Sequence, residues 1–169
     1  AASDVYKRQV FYAAIINGTA GDGEALAEDF KKYTGDTDKY HEYTIDNSMY
    51  LTKEQEDYQM VMKLSTIIGA QQVDVLIAPE YKFQEYVEQD GFYPMSELLT
   101  DEQQETYKDD LTEYGLHVGD SKVLQSFGVD EDSYMGVFVY SDHLDEAKSF
   151  ITYIMGDGNT PDENEGGQK

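Results

Sequence analysis

The sequence contains no cysteine among its 169 residues. The chain can therefore form no disulfide, no thiolate zinc site and no cysteine nucleophile. Its length is typical of one domain, and a chain of this size buries roughly 68–70% of its unfolded surface when it folds. The domain has to be stabilised by its own hydrophobic core rather than by covalent cross-links.

Basic side chains are scarce. Only 12 Lys and Arg stand against 35 Asp and Glu, which gives a formal net charge of −23. Nucleic-acid binding depends on cationic side chains that displace counterions from phosphates, so we expect no nucleic-acid partner. An anionic membrane surface is disfavoured for the same reason.

Long apolar runs are also absent, because no segment approaches the roughly 20 residues that a membrane-spanning helix needs. Residues 1–9 share no pattern with the rest of the chain and resemble a translated sequencing-adapter remnant. We therefore expect them to be foreign to the domain or disordered. On this interpretation the natural N-terminus is missing, together with any signal peptide or membrane anchor. We predict one domain over 10–155 and a disordered acidic tail over 156–169.

Short apolar segments predict the strands of a sheet. Residues 10–16 are continuously apolar and end at Asn17 and Gly18, which is typical of a strand buried on both faces. Residues 41–46 alternate between polar and less polar side chains, as a second strand would. Three further segments predict a third strand, a short strand and a last strand, namely 73–78, 114–118 and 135–140.

Amphipathic stretches separate these strands and predict helices. The apolar side chains that we expect to face inward are Leu26, Phe30 and Tyr33 in the first helix, Tyr58, Val61, Met62, Leu64, Ile67 and Ile68 in the second, Phe83, Tyr86 and Val87 in the third, and Leu144, Ala147, Ile151 and Ile154 in the last.

Helix ends carry their own signals. Thr52 with Gln55 and Thr100 with Gln103 both have the spacing of a capping box, and the second box opens a helix that we expect to run to about Gly115. Pro79 occupies the favoured first position of the third helix. We expect Ser141 or Asp142 to cap the last helix.

Alternating strands and helices indicate an α/β fold, a three-layer α/β/α sandwich with a mostly parallel sheet. Ligands of such folds bind at the carboxyl ends of the strands. The side chains at the ends of the predicted strands are therefore our candidate ligand-binding residues. They are Asn17, Thr19, Pro79, Glu80, Tyr81, Asp120 and Ser121.

Catalytic, metal and cofactor motifs are not recognisable. The loop from Gly18 to Gly23 fails the spacing of phosphate-binding loops, so an ordinary turn is the better interpretation. The three histidines have no metal-ligand spacing, although His117 with Asp120 and Ser121 leaves a catalytic triad open as a minor alternative. Asp157 begins a calcium-like loop that Pro161 interrupts. We predict no enzyme, no metal site and no cofactor.

The chain is unusually rich in tyrosine, with 15 residues of this type. Tyrosine offers an apolar face and a polar tip, which suits sugar or peptide binding. Most of them fit equally well as half-buried core at sheet and helix edges. Tyr50, Tyr81 and Tyr114 are of most interest, because each lies near a predicted strand end.

The middle of the chain has a helix before Val-Asp-Val at 73–75, a helix after it, and a Gly-aromatic-x-x-Leu type of segment from Gly91 to Leu99. In these motifs it resembles the extracellular solute-binding proteins of ABC importers. A returning strand that begins at Gly136 and the Glu-Ala-x-x-Phe-hydrophobic helix of 146–151 extend the similarity over most of 10–155.

This resemblance implies one lobe of a periplasmic-binding-protein fold, export, and capture of a small solute such as a sugar or peptide. About 35 residues separate Leu99 from Met135, too few for a second lobe of ordinary domain size. We therefore expect a one-lobed, membrane-tethered relative whose partners are the solute and a permease or another protein that supplies the second wall. The alternative is a protein–protein interaction or scaffold module that has kept the fold but not the ligand site.

Overall fold

The computed structural model describes residues 6–52 and 57–156, and these form an α/β fold with one open sheet. The strands are β1 (Arg8–Ile15), β2 (His41–Asp46), β3 (Val75–Pro79), β4 (Leu116–His117) and β5 (Ser133–Val137). The helices are α1 (Gly23–Thr34), α2 (Tyr58–Gly69), α3 (Glu80–Glu88), α4 (Met95–Leu98), α5 (Asp101–Thr106) and α6 (Leu144–Met155). A short 3-10 turn covers Gln125–Phe127.

The five described strands lie in the order β2-β1-β3-β5-β4. β1 pairs in parallel with both β2 and β3, whereas β5 pairs antiparallel with both β3 and β4. Four strands therefore run in one direction and β5 runs against them, so the sheet is mixed. The carboxyl ends of β1, β2, β3 and β4 lie along one edge, as the sequence predicts.

Alternate residues of the central strands pack into two separate cores. Ala13 and Ile15 of β1 join a core that contains Phe30 of α1 and Phe150 of α6. Ala14 belongs to a second core, together with buried side chains of α2 and α3. Successive side chains of a strand point to opposite faces, so a continuous apolar run is needed where both faces are covered.

Aromatic rings fill much of both cores. In the first core the rings of Phe11 and Phe150 lie 4.9 Å apart between centroids, and the ring of Phe30 lies 5.0 Å from Phe11. In the second core the rings of Phe83 and Phe92 stack at 4.5 Å. Such offset and edge contacts stabilise a pair beyond the area that it buries.

The first strand begins earlier than predicted. Arg8 and Gln9 were expected outside the domain, but they belong to β1 and pair with the start of β2. The Gln9 amide donates a hydrogen bond to the Thr44 hydroxyl at 2.9 Å, which ties the two strands together. Polar residues continue the strand here because the backbone pairing, rather than apolar burial, holds it. Residues 1–5, and residues 157–169 of the predicted tail over 156–169, lie outside the described residues.

Helix α2 differs from the prediction in its start and in its buried face. Gln55 of the predicted capping box lies outside the described residues, and the helix is capped by Asp57, whose carboxylate accepts from two backbone N–H groups. Leu64 is buried, but Tyr58 is 75% exposed and Met62 is 45% exposed. Because Tyr58 and Met62 are one turn apart, the apolar face of the helix extends onto the surface.

Two other helix ends also need correction. The capping box of Thr100 and Gln103 is present, but α5 ends at Thr106 rather than near Gly115, because turns lead from there into β4. Helix α6 begins after His143, not directly after Ser141 or Asp142, and no side chain caps it there. The Ser141 hydroxyl instead donates to the buried carboxylate of Asp74 at 2.6 Å.

No helix within 6–52 and 57–156 has both the length and the apolar composition needed to cross a membrane.

Candidate functional site

The predicted ligand residues share one edge of the sheet but do not meet at one point. β1 and β4 are separated by β3 and β5 in the strand order. With strands about 4.8 Å apart, three spacings put the ends of β1 and β4 roughly 14 Å from each other. The strand ends therefore form separate local environments along the edge.

Asn17 at the end of β1 is a buried structural residue. Its side-chain oxygen accepts a hydrogen bond from the Leu51 N–H at 2.6 Å, and its amide nitrogen donates to Asp130 at 3.2 Å. Its backbone has a positive φ of 63°, which Asn adopts more readily than most residues. Because its polar atoms already have partners, Asn17 fixes the edge rather than offering donors to a solute.

Thr19 also serves to attach a loop. Its hydroxyl donates to the carbonyl oxygen of Gly128 at 3.2 Å, and the next N–H, of Ala20, donates to the Phe127 carbonyl. The loop then enters α1 through Asp22, whose carboxylate accepts from the Ala25 N–H at 3.2 Å. This is the ordinary turn that the glycine spacing predicts.

The end of β3 gives three different environments. Pro79 is buried as the last residue of the strand. Glu80 is exposed and lines a small groove of about 200 Å³ with Phe83, Tyr114 and other side chains of α3 and the turn before β4. Tyr81 is half-buried, with the Lys82 ammonium 5.7 Å from its ring centre.

Asp120 and Ser121, at the end of β4, line a cleft of about 460 Å³. The cleft is also lined by His117, Val118 and Lys122 and by the last residues of α6, Ile154–Gly156. Asp120 has 79% of its side chain exposed and is free to reorient toward a bound solute. Ser121 is buried, and its hydroxyl donates to the Ile154 carbonyl at 2.7 Å, which holds the loop against the helix end.

The electrostatics of this cleft are mixed. The carboxyl end of α6 carries partial negative charge and carbonyl acceptors, and Asp120 adds a full negative charge. Lys122 supplies a cationic donor on the same cleft. The cleft can therefore accept hydrogen bonds from a solute and can donate to it.

The catalytic alternative at His117 and Ser121 fails on geometry. A nucleophile must donate to its base, but the Ser121 hydroxyl donates to Ile154. The Nε2 of His117 lies 2.6 Å from the Glu131 carbonyl oxygen, which only accepts, so Nε2 is the donor there. Asp120 lies 3.8 Å from the other ring nitrogen. These three residues form no Ser/His/Asp relay.

A further acidic residue lies beside His117. The Nδ1 of His117 is 3.4 Å from Asp110 and 3.8 Å from Asp120, and one ligand atom of each residue lies within 4.8 Å of the others. A tight turn between Asp110 and His117 brings the two residues together. In this turn the Thr112 N–H donates to the Gly115 carbonyl, and the His117 N–H donates to the Asp110 carbonyl. The sequence by itself indicates only solvated charge at Asp110. The Thr-x-x-Gly turn is the signal that brings it opposite His117.

Sequence reasoning also missed a buried carboxylate at the opposite edge. Asp74 has 5% of its side chain exposed, and it accepts from the Tyr12 N–H at 2.8 Å and from the Ser141 hydroxyl at 2.6 Å. The Nδ1 of His143 lies 3.1 Å from the same carboxylate. The group joins β1, β3 and the start of α6, and we regard it as structural.

His41 belongs to a network between β1, β2 and the end of α1. Its Nδ1 lies 2.7 Å from Asp36, and its Nε2 lies 3.1 Å from the Arg8 guanidinium. Burial acts to raise the pKa of Asp36, but hydrogen bonds from His41, from the Asp38 N–H and from the Tyr43 hydroxyl outweigh it and lower the pKa to about 2. The network stabilises the sheet at neutral pH.

In comparisons with known proteins, the chain matches no family model, no curated protein and no solved structure.

Proposed function

We propose that the chain is a non-catalytic, solute-binding-protein-like domain at the cell exterior that binds a small solute of the sugar or peptide class. The observation that carries this proposal is the cleft at the carboxyl end of β4, which two predicted ligand residues, Asp120 and Ser121, help to line. A concave polar site at a strand end is where an α/β sheet presents ligand-binding groups.

The arrangement of the helices supports the same proposal. Helices α1 and α6 contribute to one core and α2 and α3 to the other, as in a three-layer α/β/α sandwich. β5 occupies Ser133–Val137, where the family resemblance implies a returning strand. We propose that the domain is one lobe of this fold. It would be tethered upstream, and an ABC permease or another protein would supply the second wall.

The chemistry of the cleft favours a solute with several hydrogen-bonding groups. Asp120 and the last carbonyls of α6 accept hydrogen bonds, whereas Lys122 donates. A short peptide or an amino acid presents an ammonium to the acceptors and a carboxylate to the lysine. A sugar presents hydroxyls to both. A purely anionic solute would be opposed by the net charge of −23.

A thermal-shift screen with sugars, amino acids and short peptides tests this function. A solute at 100 times its Kd stabilises the folded state by about 2.7 kcal/mol, which is on the order of 5–10 °C in Tm for a domain of this size. We expect one solute class to give such a shift and Asp120→Asn to abolish it. The matched control is Asp132→Asn, an exposed acid outside the cleft, and it should leave the shift unchanged. A flat screen would contradict solute binding.

A second candidate function follows from the exposed face of α2. Tyr58 and Met62 lie one turn apart and are 75% and 45% exposed, and a contiguous apolar pair on a helix surface favours an interaction module. Sedimentation at increasing protein concentration tests self-association through this face. Association that is lost in Tyr58→Ser and Met62→Ser would support this function, whereas a monomer at all concentrations would argue against self-association.

A further inference from the structure

We propose that Asp110, His117 and Asp120 form a binding site for one divalent transition-metal ion of the zinc class. The site goes beyond the proposed solute binding and does not depend on it, although His117 and Asp120 also line the cleft. Two carboxylates and one imidazole are suitable ligands for Zn²⁺ and for other divalent first-row transition metals, whereas Mg²⁺ and Ca²⁺ prefer oxygen ligands alone.

The distances fit metal ligands better than hydrogen bonds. The Nδ1 of His117 lies 3.4 Å from an Asp110 oxygen and 3.8 Å from an Asp120 oxygen. Hydrogen bonds from nitrogen to oxygen fall at about 2.7–3.2 Å. With metal–ligand bonds of about 2.0–2.2 Å, neighbouring ligand atoms of a tetrahedral site lie roughly 3.3–3.6 Å apart. The Asp110 oxygen already falls in that range, and the exposed Asp120 needs only a small rotation to reach it.

The orientation of the imidazole is a separate observation in favour of a cation. Nε2 donates its hydrogen to the Glu131 carbonyl at 2.6 Å, and this fixes the ring so that Nδ1 is the nitrogen that faces both carboxylates. A hydrogen bond from the second ring nitrogen to a carbonyl is also the usual way in which a metal-bound histidine is held.

The other two histidines are in different surroundings. The Nδ1 of His41 lies at a hydrogen-bond distance of 2.7 Å from Asp36, and the Arg8 guanidinium next to its Nε2 opposes a second cation. The Nδ1 of His143 faces the buried Asp74, whose carboxylate already accepts from Ser141. His41 and His143 each face two carboxylates with different ring nitrogens, and in the described residues only His117 has two carboxylates on the same ring nitrogen.

Three protein ligands leave at least one coordination position for water or for a donor atom of a solute. The three residues are held at different points of the turn and of β4. Asp110 precedes the turn, His117 lies in the strand, and Asp120 follows it. The backbone hydrogen bond from His117 to Asp110 fixes two of them before a metal arrives.

Isothermal titration calorimetry of the full chain with ZnCl₂ tests the site, after a chelator has been used and removed. We expect one Zn²⁺ per chain, and we expect His117→Gln or Asp110→Asn to weaken it at least tenfold. The matched control is Asp109→Asn, which removes the same charge from the adjacent exposed residue and should change the affinity less than twofold. MgCl₂ should show no saturable site of comparable affinity.

A second measurement on the unchanged protein guards against variants that fail to fold. Long-range ¹H–¹⁵N spectra of the three imidazoles should show a change at the Nδ1 of His117 on addition of one equivalent of Zn²⁺. Changes at His41 or His143 instead, or Zn²⁺ binding that survives His117→Gln, would overturn the proposal. Because no organic solute is present, the result is independent of the solute screen. The two sites share His117 and Asp120, but Asp110 does not line the cleft, so Asp110→Asn should weaken Zn²⁺ binding and leave the solute shift unchanged.

Discussion

Replacing Asp74 by alanine should destabilise the protein strongly, because this carboxylate is the common acceptor for three donors. The Tyr12 N–H, the Ser141 hydroxyl and the Nδ1 of His143 lie 2.8, 2.6 and 3.1 Å from its oxygens. Ser141 is buried, whereas His143 has 30% of its side chain exposed and can turn to water.

The size of the effect depends on the donors that lose their partner. Each buried donor left unsatisfied costs about 1–3 kcal/mol. Two donors lose their partner, the buried Ser141 hydroxyl and the partly buried Tyr12 N–H. The desolvation cost of Asp74 itself is removed at the same time, so we expect a loss of about 3 kcal/mol in the free energy of unfolding. For a chain of this size that is on the order of 6–12 °C in Tm.

Urea unfolding followed by circular dichroism measures the loss, with Asp142→Ala as the control. Asp142 lies 3.3 Å from the Nε2 of His143, the ring nitrogen that does not face Asp74, and 90% of its side chain is exposed. We therefore expect Asp142→Ala to change the free energy of unfolding by about 0.5 kcal/mol or less. If the free energy of unfolding of Asp74→Ala lay within about 1 kcal/mol of that of the unchanged protein, the assignment of Asp74 as a structural acceptor would be refuted.

Two more predictions concern a close contact and an acid group. Gly119→Ala should destabilise by roughly 1–3 kcal/mol in urea, because its Cβ would collide with the Glu131 carbonyl oxygen, whereas Gly69→Ala, with no atom within 4 Å, should be neutral or stabilising. Equal effects of the two substitutions would contradict this. Asp36 has a pKa lowered from 3.8 to about 2, so it stabilises the folded state above pH 4 and loses that contribution as the pH falls toward 2. Asp36→Asn should therefore flatten the dependence of Tm on pH between about 4 and 2, and an unchanged slope would count against the network around His41.

Local signals in the sequence predicted the elements well. The second strand matches the predicted 41–46, and the capping box at Thr100 and Gln103 is present. Continuous apolar runs identified the central strands, because both of their faces are buried. These features depend only on neighbouring residues, so a pattern in the sequence is enough to find them.

Features that depend on distant residues were not predictable in this way. The direction of β5 is set by its pairing with β3 and β4, and periodicity is the same for parallel and antiparallel strands. Tyr58 and Met62 continue the helical apolar pattern, yet the core of this face is already filled by side chains such as Leu64. Asp74 finds its partners in Tyr12 and Ser141, which are more than 60 residues away.

Of the candidate site, local patterns in the sequence could predict only where the strands end. The strand ends could be located, so Asp120 and Ser121 were found beside a cleft. Asn17 and Thr19 follow a strand equally well, but their polar atoms bond to the 128–130 segment, a contact that spans more than 100 residues. Asp110 lies seven residues before His117, and only the turn between them brings the two together.

The central claim is that the cleft at the carboxyl end of β4 is the ligand-binding surface. An amide-detected NMR titration with the best solute from the screen tests it most directly, because it locates the contact without any substitution. We predict that the largest shift changes fall on residues 117–122 and 154–156, which line the cleft. Changes confined to the face of α2 around Tyr58 and Met62, or no saturable change anywhere, would contradict the claim.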